Sequence, residues 1–267
     1  MSASRQRIVL KFGSGVLANP RGNTLDDRQF TRIAREVAAL VQAGHEVVIV
    51  SSGAVAAGLG ALGLKERPEA LAARQACAAV GQSQLMQKYG AKLSQHRLQV
   101  AQLLLTHGDL DSRTRSANVR NTLDRIFERQ TVVPIINEND SVAVEELRFG
   151  DNDRLSAEVA LLVRADLLIL LTSVDGLLDE HGHTVPLVED IAEVASLVRQ
   201  EKGRLSVGGM ASKLEAVRLA VTAGIATSVA NGRKAGQIAA IVAGRRAGTR
   251  FIARGEAPPP EPPPRRK

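Results

Sequence analysis

The stretch 131–162, TVVPIINENDSVAVEELRFGDNDRLSAEVALL, decides how the rest of the chain is read. It opens as an apolar, β-branched run, Val132 to Ile136, which predicts a buried strand. Six carboxylates then gather around Arg148: Glu138, Asp140, Glu145, Glu146, Asp151 and Asp153. A helical pattern resumes at Leu155. A buried strand that ends in an acidic, Asn-rich loop and leads into a helix is a place where α/β sheets hold ligands. Taken alone, such a loop also reads as a solvated hairpin with helix caps, and Val142 to Phe149 fits a short excursion strand.

Outward from this stretch, apolar runs alternate with helical periodicity. Strands are expected at Arg7 to Phe12, Glu46 to Val50, Leu98 to Leu105, Asp166 to Leu171 and Thr227 to Ala230. Between them, helices are expected at about Asp27 to Ala43 (with Asp26 as N-cap), Glu69 to Gln95, Ser112 to Arg129, Leu155 to Val163, Ile191 to Glu201, Gly209 to Ala223 and Gly236 to Ala243. Continuous apolar strands alternating with helices predict an α/β fold: a three-layer α/β/α sandwich around a mostly parallel sheet. One domain is expected over residues 1–254. Residues 255–267, GEAPPPEPPPRRK, predict an extended, disordered tail, because proline neither pairs in a sheet nor continues a helix.

Composition narrows the function classes. The chain has 267 residues, 44% hydrophobic but only 2% aromatic, so its core must be aliphatic. Scarce aromatics argue against stacking on single-stranded nucleic acid. The formal charge of +7 is spread rather than clustered, which favours small anionic substrates over nucleic acid. The single Cys77 sits in the apolar run QACAAVG and is expected in the core, in keeping with a reducing cytoplasm. No apolar run reaches the length that spans a bilayer, and none resembles a signal peptide, so a cytoplasmic protein without membrane contact is expected.

Three Gly-rich turns adjoin apolar runs: KFGSG at 11–15, SSGAVAAG at 51–58 and SVGGMASK at 206–213. Backbone N–H groups in such turns, at helix starts, receive phosphate or carboxylate, and Lys11 and Lys213 add point charges. GLGALG at 58–63 has the dinucleotide spacing but not the required strand-to-helix position. No phosphate-loop pattern closes with Gly-Lys-Ser/Thr. His45, His96 and His107 fall at expected turns and read as solvated, and His181 and His183 flank a glycine in an expected polar loop without a third metal ligand nearby in sequence. No Gly-x-Ser-x-Gly elbow is present, and Cys77 lacks a base. Two lysines, three anion-binding turns and an acidic loop suit phosphoryl transfer, where catalysis is mostly positioning and charge neutralisation.

These motifs also carry a resemblance. VLKFGSGVL at 9–17, IVSSGAVAAG at 49–58, AAVGQSQLM at 78–86, PIINENDSVA at 134–143, FGDNDRLSA at 149–157, LLTSVDGL at 170–177 and GGMASKLEA at 208–216 resemble the glutamate 5-kinase family of the amino-acid kinase superfamily. The match covers about Arg7 to Ala253. The resemblance implies the amino-acid kinase fold and ATP-dependent phosphorylation of the γ-carboxylate of L-glutamate, the first step of proline biosynthesis. Lys11 and Lys213 would hold the ATP phosphates and the migrating phosphoryl group, and Asp153 would orient both lysines. Ser52, Asp140 and Asn152 would bind glutamate. Thr172, Ser173, Val207, Gly208, Gly209, Met210, Ala211 and Ser212 would contact the nucleotide along with Lys11 and Lys213.

ATP is implied as co-substrate and Mg²⁺ as its companion, held by phosphate oxygens and water, with no protein metal site. Feedback inhibition by proline, a dimer or tetramer, and hand-off of the acyl phosphate to glutamyl phosphate reductase are implied as well. Ser173 stands where the family pattern has Asp, Val207 where it has Thr, and a Pro-rich tail where many members carry a PUA domain. Other superfamily kinases, acting on a different carboxylate, carbamate or phosphate acceptor, and an inactive nucleotide-binding regulator remain the alternatives.

Overall fold

The computed structural model describes residues 5–143, 152–191, 194 and 209–256. In chain order the elements are β1 (Arg7–Phe12), α1 (Ser14–Leu17), α2 (Asp27–Gln42), β2 (Glu46–Ser51), α3 (Ala54–Ala61) and α4 (Leu71–Ser94). These lead to β3 (Gln99–Leu105), α5 (His107–Asp111), α6 (Arg113–Phe127), β4 (Val132–Glu138), α7 (Asn152–Leu162) and β5 (Leu167–Thr172). The last part holds β6 (Leu187–Val188), α8 (Met210–Thr222), β7 (Ala226–Asn231), α9 (Gln237–Val242) and β8 (Thr249–Phe251).

The strands form one sheet in the order β3-β4-β2-β1-β5-β7-β8-β6. Pairing is parallel except between β7 and β8. The chain leaves β1 toward β2 on one side, and β5 closes on the other side of β1, so a crevice opens at the carboxyl ends of the central strands. Lys11, Ser52, Asn137, Thr172 and Asn231 all lie at that edge.

The side-chain period of two divides the sheet into two cores. Ile8, Leu10 and Phe12 of β1, Val47 and Ile49 of β2 and Ile135 of β4 pack with α2 and α4 on one face. Val9, Val48, Val50, Ile136, Leu168 and Leu170 pack with α6, α7 and α8 on the other. Both clusters are mainly aliphatic, and three helix–sheet–helix layers result. Phe30 and Tyr89 meet edge to face, with ring centroids 4.8 Å apart, in the first. Each fully buried Leu, Ile or Val contributes about 1.5–3 kcal/mol relative to exposure. The alternation also decides where Lys11 goes. It shares the face of Val9 and therefore points toward α7 and α8.

Several expectations need correction. The 51–58 motif is a helix, α3, after a two-residue turn, in which Gly53 takes φ 101°. Gly58 serves packing: a Cβ there would lie 1.8 Å from the Cys77 carbonyl oxygen, and one at Gly81 would lie 1.8 Å from that of Ala54. α3 and α4 therefore touch backbone to backbone, a contact that any side chain at either position would block. α7 begins at Asn152 rather than at Leu155. The short strands β6 and β8 and the short helices α1 and α5 escape a periodicity count because each has too few residues to show one.

His45 and His107 are buried rather than solvated, at 6% and 9% exposure. Cys77 is in the core, as expected. Most of the expected 191–201 helix, the 144–149 part of the excursion strand, Val207, Gly208 and the 257–267 part of the tail lie outside the described residues. Among the described residues, no helix is long and apolar enough to cross a membrane.

Candidate active site

The centre of the site is Asp153, in the first turn of α7 and 1% exposed. A carboxylate in a helix's first turn is favoured by the helix dipole, but its burial must be offset by charge. Lys11 Nζ, from the end of β1, lies 2.5 Å from Asp153 Oδ1. Lys213 Nζ, from α8, lies 3.1 Å from Oδ2. Ser212 Oγ donates to the same Oδ2 at 3.2 Å and to the Gly209 carbonyl at 3.1 Å. One buried carboxylate thus holds two ammonium groups side by side.

Burial pushes the Asp153 carboxyl up, but the Lys11 and Lys213 charges and hydrogen bonds outweigh it and the net shift is downward. Burial pulls the Lys11 ammonium below its ordinary value, Asp153 opposes this and the Lys213 charge adds to it. The triad carries a net positive charge, which suits an anion with several oxygens placed over it.

Beside this charged half lies a neutral one, and the two meet at adjacent residues. Asn152 Nδ2 donates to Ser52 Oγ and to Asn137 Oδ1, each at 3.1 Å. Asn137 Nδ2 in turn donates to Gln82 Oε1 of α4 at 2.8 Å. Asp140 follows β4 in a turn in which Val142 and Ala143 N–H donate to the Asn139 carbonyl. Its carboxyl is half-buried, and desolvation raises it to about 6 against the lowering influence of Arg67. The free N–H groups at the start of α3, next to Ser52 and Gly53, point out of the helix end, as at any helix N-terminus.

Four loops at the sheet edge are tied together. Gly13 N–H donates to the Leu171 carbonyl at 3.0 Å, and Ser52 N–H to that of Phe12 at 3.1 Å. Ser173 Oγ lies 3.4 Å from where a Cβ of Gly15 would be, so the 11–15 turn sits against the end of β5. Thr172 is buried and its carbonyl receives the Gly232 N–H at 2.7 Å. After β7, Asn231 Nδ2 donates to Asp175 at 2.8 Å, while Arg233 donates to the carbonyls of Gly15 and Ala18 and pairs with Asp26 at 3.3 Å.

Of the residues expected at the site, Lys11, Lys213, Asp153 and Ser212 come together, as do Ser52 and Asn152. Thr172 and Ser173 adjoin the 11–15 turn. Gly209 caps α8, and Met210 and Ala211 open it. Asn137, Gln82, Asn231 and Arg233 were missed. Asn137 belongs to the same INEND run as Asp140, and Gln82 directly follows the obligatory Gly81. Nothing local marks Asn231 or Arg233, whose partners lie far away in sequence.

A second buried pair backs α7: His107 Nδ1 lies 2.6 Å from Glu158 Oε2, and Arg154 Nε 2.8 Å from Oε1. The hydrogen bond to Glu158 raises the His107 imidazole above its ordinary value against desolvation. Among the described residues, no group of three or more His, Cys, Asp or Glu is placed to hold a metal ion.

A family described as "Amino acid kinase family" matches residues 6–231. Glutamate 5-kinase of Moorella thermoacetica is 47% identical over 93% of this chain and 67% of its own length. That of Thermus thermophilus is 47% identical over 94% and 68%, and that of Clostridium acetobutylicum 42% over 92% and 94%. Among solved structures, N-acetylglutamate synthase from Neisseria gonorrhoeae, complexed with coenzyme A and L-arginine, superposes with a TM-score of 0.62 at 12% identity, which bears on the fold alone. This chain covers 62% of that one. The chain belongs to the amino acid kinase family and, within it, to the glutamate 5-kinases.

Proposed function

We propose that this protein transfers the terminal phosphoryl group of ATP to the γ-carboxylate of L-glutamate, giving L-glutamyl 5-phosphate, the first step of proline biosynthesis. The observation that carries this is the junction at Asn152 and Asp153, where a cationic pair meets a hydrogen-bonded chain of neutral side chains. In the reaction, a γ-carboxylate oxygen attacks the γ-phosphorus in line. The new P–O bond forms as the bond to the β–γ bridging oxygen breaks, and ADP leaves with the electron pair. A carboxylate is already a nucleophile at neutral pH, so no general base is needed.

Lys11 and Lys213 stabilise the charge that spreads over the transferring group, and Asp153 keeps them parallel. Ser52, Asn152 and the α3 N-terminus receive the amino acid, with Asp140 facing its ammonium. Thr172, Ser173, Gly209 and the first turn of α8 from Met210 to Lys213, with Val207 and Gly208 just before them in sequence, contact the nucleotide. Both Asp153 oxygens are taken by the lysines, so Mg²⁺ fits here as part of the nucleotide, held by phosphate oxygens and water rather than by side chains; when bound it neutralises phosphate charge. Residues 1–254 form the kinase domain. Proline as feedback inhibitor, a homo-oligomer, and an acyl-phosphate hand-off to a reductase complete the proposal.

The test is glutamate-dependent ADP release with hydroxylamine trapping of the product, run against aspartate, acetylglutamate, carbamate and phosphate monoesters, and repeated with proline. Hydroxamate from glutamate alone is expected. Trapping with another acceptor and none with glutamate would sink the assignment. In Asp140→Ala, KM for glutamate should rise well above that of the wild type while KM for ATP holds; two unchanged KM values would remove Asp140 from the substrate site.

A further inference from the structure

The neutral half of the site contains two buried polar atoms that have no hydrogen-bond partner among the described residues. Gln82 Oε1 accepts from Asn137, but Gln82 Nε2 has no partner. Asn152 Nδ2 donates twice, but Asn152 Oδ1 has no partner. Buried polar groups are almost always paired, because an unmade hydrogen bond forfeits solvation without return. One of these atoms is a donor and the other an acceptor, and a single chain of side-chain amides joins them. An amino-acid zwitterion satisfies both, with its carboxylate accepting from Gln82 and its ammonium donating to Asn152.

Direction along the chain says which carboxylate is meant. From Asp153, which holds the two lysines, the polar chain runs through Asn152 and Asn137 to Gln82. Gln82 is its far end. It is also held rigidly: Gly81, its neighbour, is pressed against the Ala54 carbonyl at the first residue of α3. We infer that Gln82 is a further substrate-binding residue, donating from Nε2 to the α-carboxylate, the end of the amino acid remote from the transferring phosphoryl group. The inference rests on the glutamate assignment above. It adds a residue of α4 as the group that distinguishes a free α-carboxylate from a neutral α-amide.

Steady-state kinetics on Gln82→Glu and Gln82→Leu, with L-glutamate and with its α-amide as acceptors, test this. Loss of a hydrogen bond to a charged group corresponds to about a tenfold to hundredfold rise in KM for glutamate. KM for ATP should stay at its wild-type value. Gln82→Glu should also shift the ratio of kcat/KM for the α-amide over glutamate at least about tenfold toward the amide. Its carboxylate repels the α-carboxylate and accepts from the amide N–H, which a merely structural role would not produce. If both variants fail to fold, Gln82→Asn, shorter by one methylene, should give an intermediate rise in KM for glutamate. An acceptor ratio unchanged in Gln82→Glu, or KM for ATP rising in parallel with that for glutamate, overturns the role of Gln82 while leaving the kinase intact. A wild-type protein without glutamate-dependent ADP release overturns the kinase assignment and this inference with it.

Discussion

The two halves of the site are built on opposite principles, although Asn152 and Asp153 are neighbours in one helical turn. Around Asp153 every strong contact is already made. The lysines arrive from β1 and α8, both carboxylate oxygens are engaged at 2.5 and 3.1 Å, and the group is nearly sealed from water. Around Asn152 the hydrogen bonds are between neutral side chains, and two atoms have no partner among the described residues. A preformed cationic pair costs no reorganisation when charge develops, which is what a transferring phosphoryl group requires. A half-satisfied amide chain instead gains from a ligand what the fold withholds, which suits discrimination of an amino acid.

Breaking the charged half should have the largest effect. Asp153→Asn leaves two buried ammonium groups without their shared counter-charge, a loss of about 3–5 kcal/mol in stability. Urea denaturation should show it as a lower midpoint; an unshifted midpoint would mean that the lysines find other partners. Next comes Lys213→Ala, expected to lower kcat about 10²–10³-fold with KM for glutamate nearly constant. A kcat equal to that of the wild type would remove Lys213 from the chemistry.

A smaller effect is expected from Gly81→Ala, which forces α4 away from α3 at a cost of about 1–3 kcal/mol. Because α4 carries Gln82 and α3 starts beside Ser52, this change should raise KM for glutamate more than it lowers kcat. The opposite pattern would contradict the division of the site into halves.

The smallest effect is a pH dependence. The Asp140 carboxyl is raised to about 6 by desolvation, so below that pH it is increasingly neutral and cannot attract an ammonium group. In the free enzyme, kcat/KM for glutamate should therefore fall about tenfold per pH unit below this value, and Asp140→Asn should abolish that limb. A bound ammonium favours the ionised form, so glutamate binding near pH 6 should release a proton measurable by calorimetry in two buffers. The same burial makes the ionised Asp140 a cost to stability at neutral pH. That cost shrinks as pH falls from about 6 toward the ordinary 3.8.

What could be read directly from the residues was whatever local chemistry encodes. Alternating apolar runs gave the parallel sheet with helices on both faces, because the period of two and the period of 3.6 report which side of an element is buried. Lys11, Lys213 and the acidic loop stood out because charges beside glycines or at strand ends are either solvated or, if buried, held by a partner of opposite charge. Local pattern misled at 51–58, where only the contact with Cys77 reveals that Gly58 is there for packing. It also misled at His107, whose partner Glu158 lies on a helix reached through a different strand.

By itself, then, the sequence determined the sheet, the layers and the identity of the two cations. The family resemblance already implied that Asp153 serves both lysines; only the tertiary structure supplied the geometry of that triad and decided that Gln82, Asn137, Asn152 and Ser52 form one chain, with Arg233 bracing the first turn. Those pairings join residues from β1, α4, β4, α7 and α8. They depend on strand order and on how closely α3 and α4 approach, quantities set by packing across the whole sheet rather than by neighbours along the chain.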